Sequence, residues 1–199
     1  TVLDFTVNNA EKIRALRLAA KQTKRKQWQV QWKADHAKPS SFRFKGYKAV
    51  YTPSKIGNYT RLSYDRSQPW EKDIAYYDHF IEDVSIPAPQ AYLIPQAWRE
   101  VIERLQWNGL ELRRLDADRE FKVQTYRIKN VTSRATAYEG HMFHDDVELS
   151  TQTETIHARA GDCLLTLDQE NARYAVETLE PQAHDSFFRW GFFNSVLEK

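Results

Sequence analysis

Hydrophobic spacing changes its period early in the chain. Ile13, Leu16 and Ala20 recur at helical spacing, and Asn8 followed by Glu11 has the form of a capping box, so residues 8–26 are expected to form one helix. The period then falls to two. Trp28, Val30, Trp32 and Ala34 alternate with Gln27, Gln29, Gln31, Lys33 and Asp35, the pattern of a half-buried antiparallel strand. Its two tryptophans are expected to face a core, although such a stripe can also serve as a stacking platform. Phe42 and Phe44 alternate with Arg43 and Lys45 until Gly46 breaks the phase, which predicts a second strand over 41–51 with a bulge or bend.

Further on, Pro53 and Gly57-Asn58 mark a turn before a short strand at 59–64, and Pro69 marks another loop before the apolar run 73–81. Ala91–Ile94 reads as a short buried strand. Pro95 then opens a helix whose apolar face is Trp98, Val101, Ile102 and Leu105, closed by Asn108-Gly109 in a left-handed cap. Strands are expected at 110–115, 121–128, 147–149, 156–158 and 163–167, the last entered through a Gly161-Asp162 turn. Residues 169–178 fit helix or strand. Residues 185–197, with Phe187, Trp190 and Phe193, fit a short aromatic helix. Many short strands and few helices predict a mainly β fold: an antiparallel sandwich or jelly roll with an N-terminal helix and one or two further short helices. The expected division is a helix at 1–26 and a β-sandwich domain at 27–199.

Composition narrows the classes. With 199 residues, 41% hydrophobic and 28% charged, the chain can bury a core without staples. Its single cysteine, Cys163, excludes an intrachain disulfide framework and a cysteine-rich zinc site. No apolar run approaches the roughly 20 residues that span a bilayer as a helix. A first residue of Thr1, without a leading methionine, suggests a piece of a longer chain. The net charge of +2 is uneven, with +11 over residues 1–66 and −9 over the rest. No nucleic-acid motif accompanies the basic third, so internal pairing or a solvated face is expected, not nucleic acid. Lys21, Lys24, Arg25 and Lys26 suit the negative pole at a helix end.

Candidate chemistry rests on six histidines. His79 and Glu82 have the H-x-x-E spacing that supplies two zinc ligands in carboxypeptidases, with His184 as the third ligand they would need. In a strand, however, the first two point to opposite faces. His141, His144 and Asp146 form the denser cluster and are the candidate metal ligands, if the segment is a loop that lets them converge. Otherwise they are a hydrogen-bonded histidine pair at a strand start. Cys163 reads as a buried, inert thiol.

Three stretches carry a resemblance: A-Y-L-I-P-Q-A-W-R-E-V-I-E-R-L-Q-W-N-G (91–109), Y-E-G-H-M-F-H (138–144), and 161–193, from G-D-C-L-L-T-L through E-T-L-E-P-Q-A-H-D-S-F-F-R-W-G-F-F. With F-K-G-Y-K-A-V (44–50) and R-L-S-Y-D-R (61–66), they resemble the region after the catalytic domain in bacterial zinc carboxypeptidase-like proteins, best represented in secreted Bacteroidetes enzymes. The resemblance implies a non-catalytic accessory domain, with zinc confined to an absent catalytic domain and no cofactor in this chain. Its partner would be the catalytic domain of the same polypeptide, and its ligand a peptide or cell-wall glycan. The resemblance also implies export, to the periplasm or the exterior, and makes the first helix the exit helix of the catalytic domain. The apolar stripe of that helix needs a partner surface, so it is expected to dock on the sandwich through Ile13 and Leu16. The alternatives are a carbohydrate-binding β-sandwich module and a metal-dependent hydrolase using His141 and His144.

Overall fold

The structure is a computed structural model that describes residues 1–23 and 25–197. Lys24, part of the basic run expected at a helix end, lies outside the described residues. The chain is mainly β, 46% strand and 20% helix, and its strand pairs of known register are antiparallel, as the alternation predicts. It forms two compact units, one of residues 1–31 and 83–199 and one of residues 32–82.

The helix expected at 8–26 is two helices, α1 (Val2–Asn8) and α2 (Ala10–Gln22), separated at Asn9. The capping box lies earlier than the spacing suggested. Thr1 Oγ1 accepts the Asp4 amide, and Asp4 reaches back to the Thr1 amine at 2.9 Å. Leu16 is 62% exposed, so it does not anchor α2, while Ile13 is half-buried. From α2, Arg17 reaches Glu170 in the acidic part of the chain at 3.8 Å, both exposed. Pairs of that kind contribute about 0–1 kcal/mol.

Strand β1 (Gln27–Ala34) pairs with β4 (Phe80–Pro87). Val30 is fully buried with Val176 and Ala183, and Trp28 packs half-buried against them. In the second unit, β2 (Ser40–Pro53) and β3 (Thr60–Tyr76) form one long antiparallel ribbon. The expected loop at Pro69 is instead a bulge inside β3, where the register shifts opposite Tyr47 and Lys48. A proline costs no ladder bond where the ladder is already interrupted. Asp65 ties the bulge by accepting from the Ser67 amide (2.9 Å), the Ser67 hydroxyl (2.6 Å) and the Gln68 side chain (2.8 Å).

The packed part lies in the first unit. β5 (Ala91–Ile94), β9 (Cys163–Thr166) and β6 (Arg113–Arg114) form a three-stranded sheet in that order. The strand expected at 110–115 is only these two residues of β6. Helix α3 (Arg99–Trp107) buries Val101, Ile102 and Leu105 with Ile94, Leu165, Ala175 and Phe187. It ends as its sequence predicts. The Leu110 amide returns to the Leu105 carbonyl (3.1 Å) and the Gly109 amide to that of Gln106 (2.9 Å), with Gly109 at φ 77°. This double bond pattern needs the left-handed conformation that glycine adopts at least cost.

The remaining strands merge into a long hairpin, β7 (Arg119–Ser133) with β8 (His144–Ala158). Most of residues 169–178, ambiguous in sequence, fall in helix α4 (Ala172–Leu179). The aromatic helix expected at 185–197 is a series of turns ending in a 3-10 turn at Asn194–Val196. Gly191 at φ 80° cannot continue a helix, and the Ser186 hydroxyl takes the Arg189 amide at 3.2 Å.

Candidate functional site

The candidate ligands His141, His144 and Asp146 sit where β8 begins, and the local chain geometry separates them. Tyr138 and His141 exchange two backbone hydrogen bonds of 2.9 Å around Glu139-Gly140, whose φ values are 49° and 82°. Two central residues with positive φ make the tight primed turn that suits a hairpin. His141 therefore lies exposed at a turn, its ring edge-on to Trp190 at 5.4 Å.

His144 is 4% exposed and packs against Phe188, with ring centroids 5.5 Å apart. Its Nδ1 is 2.8 Å from Ser133 Oγ, its register partner on β7, and its Nε2 is 2.8 Å from Asn194 Oδ1. In the neutral ring Nε2 donates to the Asn194 oxygen, which leaves Nδ1 to accept the Ser133 hydroxyl. Both nitrogens are thus used within the protein. Asp146 is exposed and accepts from the Val147 amide at 2.9 Å. Among the described residues no three His, Cys, Asp or Glu side chains are grouped to hold a metal ion. His141, His144 and Asp146 therefore do not form a zinc ligand set. His79, from the H-x-x-E string, is exposed beside Asp78.

Beneath this segment Arg189 is buried. Its Nη1 donates to the Asp145 carbonyl at 2.8 Å, and its own carbonyl accepts the His144 amide at 2.9 Å. Burial lowers its pKa from the ordinary arginine value, opposed by the charges of Asp146 and Asp145. Its Nε, among the described residues, is the buried side-chain polar atom without a partner.

The strongest concentration of buried titratable groups is one that spacing did not reveal. Glu180 follows α4 immediately and is 3% exposed. Its Oε1 accepts the Tyr92 hydroxyl from β5, and its Oε2 accepts the Tyr126 hydroxyl from β7, each at 2.5 Å. Burial raises the Glu180 pKa, partly offset by the two hydroxyls. Burial also raises the pKa of both tyrosines, and the Glu180 charge adds to this. In the sequence Glu180 is an ordinary acid between Leu179 and Pro181 at a helix end, and its partners lie far along the chain. With both oxygens accepting from tyrosines, the carboxylate ties strand to strand to helix end. Cys163 is 1% exposed and burial raises its pKa, so it is an inert thiol. Trp28 has the guanidinium carbons of Arg25 and Arg173 within 5.0 and 5.5 Å of its ring, so it is already engaged by cations of the chain itself.

No family model and no solved structure matches this chain. It is 33% identical over 103 residues to carboxypeptidase 2 of Trichophyton tonsurans, a match covering 52% of this chain and 19% of that protein. Carboxypeptidase 2 of Trichophyton rubrum gives 32% over 103 residues, with the same coverage. A probable carboxypeptidase 2 of Arthroderma benhamiae gives 30% over 97 residues, covering 49% of this chain and 18% of that protein. These relatives are fungal, where the motifs suggested a bacterial group. About half of this chain is therefore similar to a segment that makes up about one fifth of fungal proteins named carboxypeptidase 2.

Proposed function

We propose that this chain is a non-catalytic accessory segment of a carboxypeptidase-like polypeptide and supports its catalytic domain. The observation that carries the reading is the extent of the match, 52% of this chain against 19% of a carboxypeptidase. Most of the relative, and room for its catalytic machinery, lies outside the segment this chain resembles. The polar groups of the first unit favour the same reading. Both Glu180 oxygens and both His144 ring nitrogens bind other parts of this chain, which supports a structural role for them. In this reading zinc belongs to the catalytic domain, and the polypeptide is exported.

The test is an assay of the purified chain, supplied with zinc, on peptides with free and with blocked C termini. No release of a terminal residue above buffer is expected. Metal-dependent release from the free peptide alone overturns the reading.

A further inference from the structure

Burial is distributed very unevenly along the chain. Among the described residues from 1 to 90, Val30 is the one that is buried; the remaining buried residues begin at Ile94. The β2–β3 ribbon is the clearest case. Its strands have 14 and 17 residues, and none of them is buried. A two-stranded ribbon without a covering layer is at best marginally stable in water.

The two faces of the ribbon differ in kind. The register sets Phe42 opposite Ile74, Gly46 opposite Trp70 and Ser40 opposite Tyr76. Alternation then gathers Phe42, Phe44, Trp70, Ile74 and Tyr76 on one face, together with Ser40 and with Lys72, which stands opposite Phe44. Phe42 packs with Tyr76 at 5.5 Å and Phe44 with Trp70 at 5.4 Å, yet these four rings remain 40–50% exposed. A β-carbon at Gly46 would stand 2.9 Å from the Phe44 ring and 3.1 Å from that of Trp70, so this glycine is what lets the rings lie over the strand. On the other face Arg43 pairs with Glu71 (3.3 Å) and Asp73 (3.1 Å), and Lys45 pairs with Glu71 (3.4 Å). That face is suited to water. The aromatic face carries one cation, Lys72, among five apolar or aromatic side chains, and an exposed apolar surface of this kind is one that proteins use as an interface.

Resting on the accessory reading above, we propose that the Phe42–Phe44–Trp70–Ile74–Tyr76 face docks the catalytic segment of the same carboxypeptidase-like polypeptide. The matched relatives carry about four fifths of their length outside the matched segment, ample to supply the covering layer. Charge argues against a second copy of this chain. Residues 40–76 hold seven Lys or Arg against three Asp or Glu, and two such ribbons face to face would repel. The occupant therefore presents an apolar surface with an acidic rim, and Trp70 and Phe44 are its anchors, since large aromatics dominate interface energetics.

Hydroxyl-radical labelling of this chain alone and within its intact polypeptide tests the proposal. Labelling of Phe42, Phe44, Trp70 and Tyr76 is expected to fall about fivefold in the intact polypeptide, as for residues moving to an interface core. Equal labelling in both overturns it. So does protection of the isolated chain by raised protein concentration, by anionic phospholipid vesicles or by cell-wall glycan. A second arm uses the paired change Phe44→Lys and Trp70→Lys. The isolated chain should keep its circular dichroism, while the intact polypeptide loses protection at Phe42 and Tyr76; retained protection contradicts the proposal. Peptidase activity of the isolated chain would defeat the accessory reading itself, whereas an inert chain whose rings stay labelled within an active polypeptide defeats only the docking face.

Discussion

The Tyr92 hydroxyl donates to Glu180 at 2.5 Å, joining groups 88 residues apart in the chain. Tyr126 completes the arrangement from β7, so one carboxylate holds β5, β7 and the end of α4. Burial raises the Glu180 pKa above its ordinary 4.5, and the folded chain therefore holds this proton more tightly than the unfolded chain. Stability from the group is full below about 4.5 and is lost as pH rises through the raised value. Glu180→Gln is neutral at every pH and lacks this slope. Melting temperatures of both proteins from about pH 4 to about pH 8 should show the native chain falling relative to the variant; a constant difference contradicts the assignment.

Glu180→Ala removes the acceptor of both hydroxyls and should cost about 1–3 kcal/mol, as for other orphaned buried donors. Chemical denaturation measures this. A change below about 0.5 kcal/mol would mean that water replaces the carboxylate freely.

Leucines in α3 and α2 should respond oppositely. Leu105 is fully buried, so Leu105→Ala should cost about 2–5 kcal/mol. Leu16 is 62% exposed in this chain, and Leu16→Ala should stay within about 0.5 kcal/mol. Equal losses would show that α2 is anchored through Leu16 after all.

Gly109→Ala should destabilise the chain by about 1–2 kcal/mol, because φ is 77° there and an added β-carbon meets the Asn171 side chain at 2.9 Å. An unchanged unfolding midpoint would contradict the cap geometry.

His144→Ala leaves Ser133 and Asn194 without their shared partner and should cost about 1–3 kcal/mol. Adding zinc or a chelator should leave the melting temperature of the native chain unchanged. A zinc-dependent rise lost in the variant would restore the metal reading.

Local rules made several elements legible. Alternation at Trp28 to Ala34 announced β1, and Asn108-Gly109 announced the end of α3, because period and cap chemistry act within a few residues. Pro69 misled because its place in β3 depends on the register with β2, which no local pattern encodes. The aromatic run at 185–197 misled because Gly191 and Ser186 favour turns over a continued helix. Of the candidate sites, Y-E-G-H was visible as a cluster, but its convergence depended on turn geometry that faces His141 outward and His144 inward. Glu180 gave no sequence signal of its role, since its partners lie 88 and 54 residues away.

The bare first half and the packed second half support the proposal that this chain is a support whose apolar surfaces lie against a catalytic segment. The half-life of peptidase activity on mild heating, compared between the intact polypeptide and the same polypeptide lacking these 199 residues, tests it most directly. A markedly shorter half-life is expected without the chain, with the hydrolytic rate before heating retained. Equal half-lives, or loss of the catalytic step itself when the chain is removed, would contradict it.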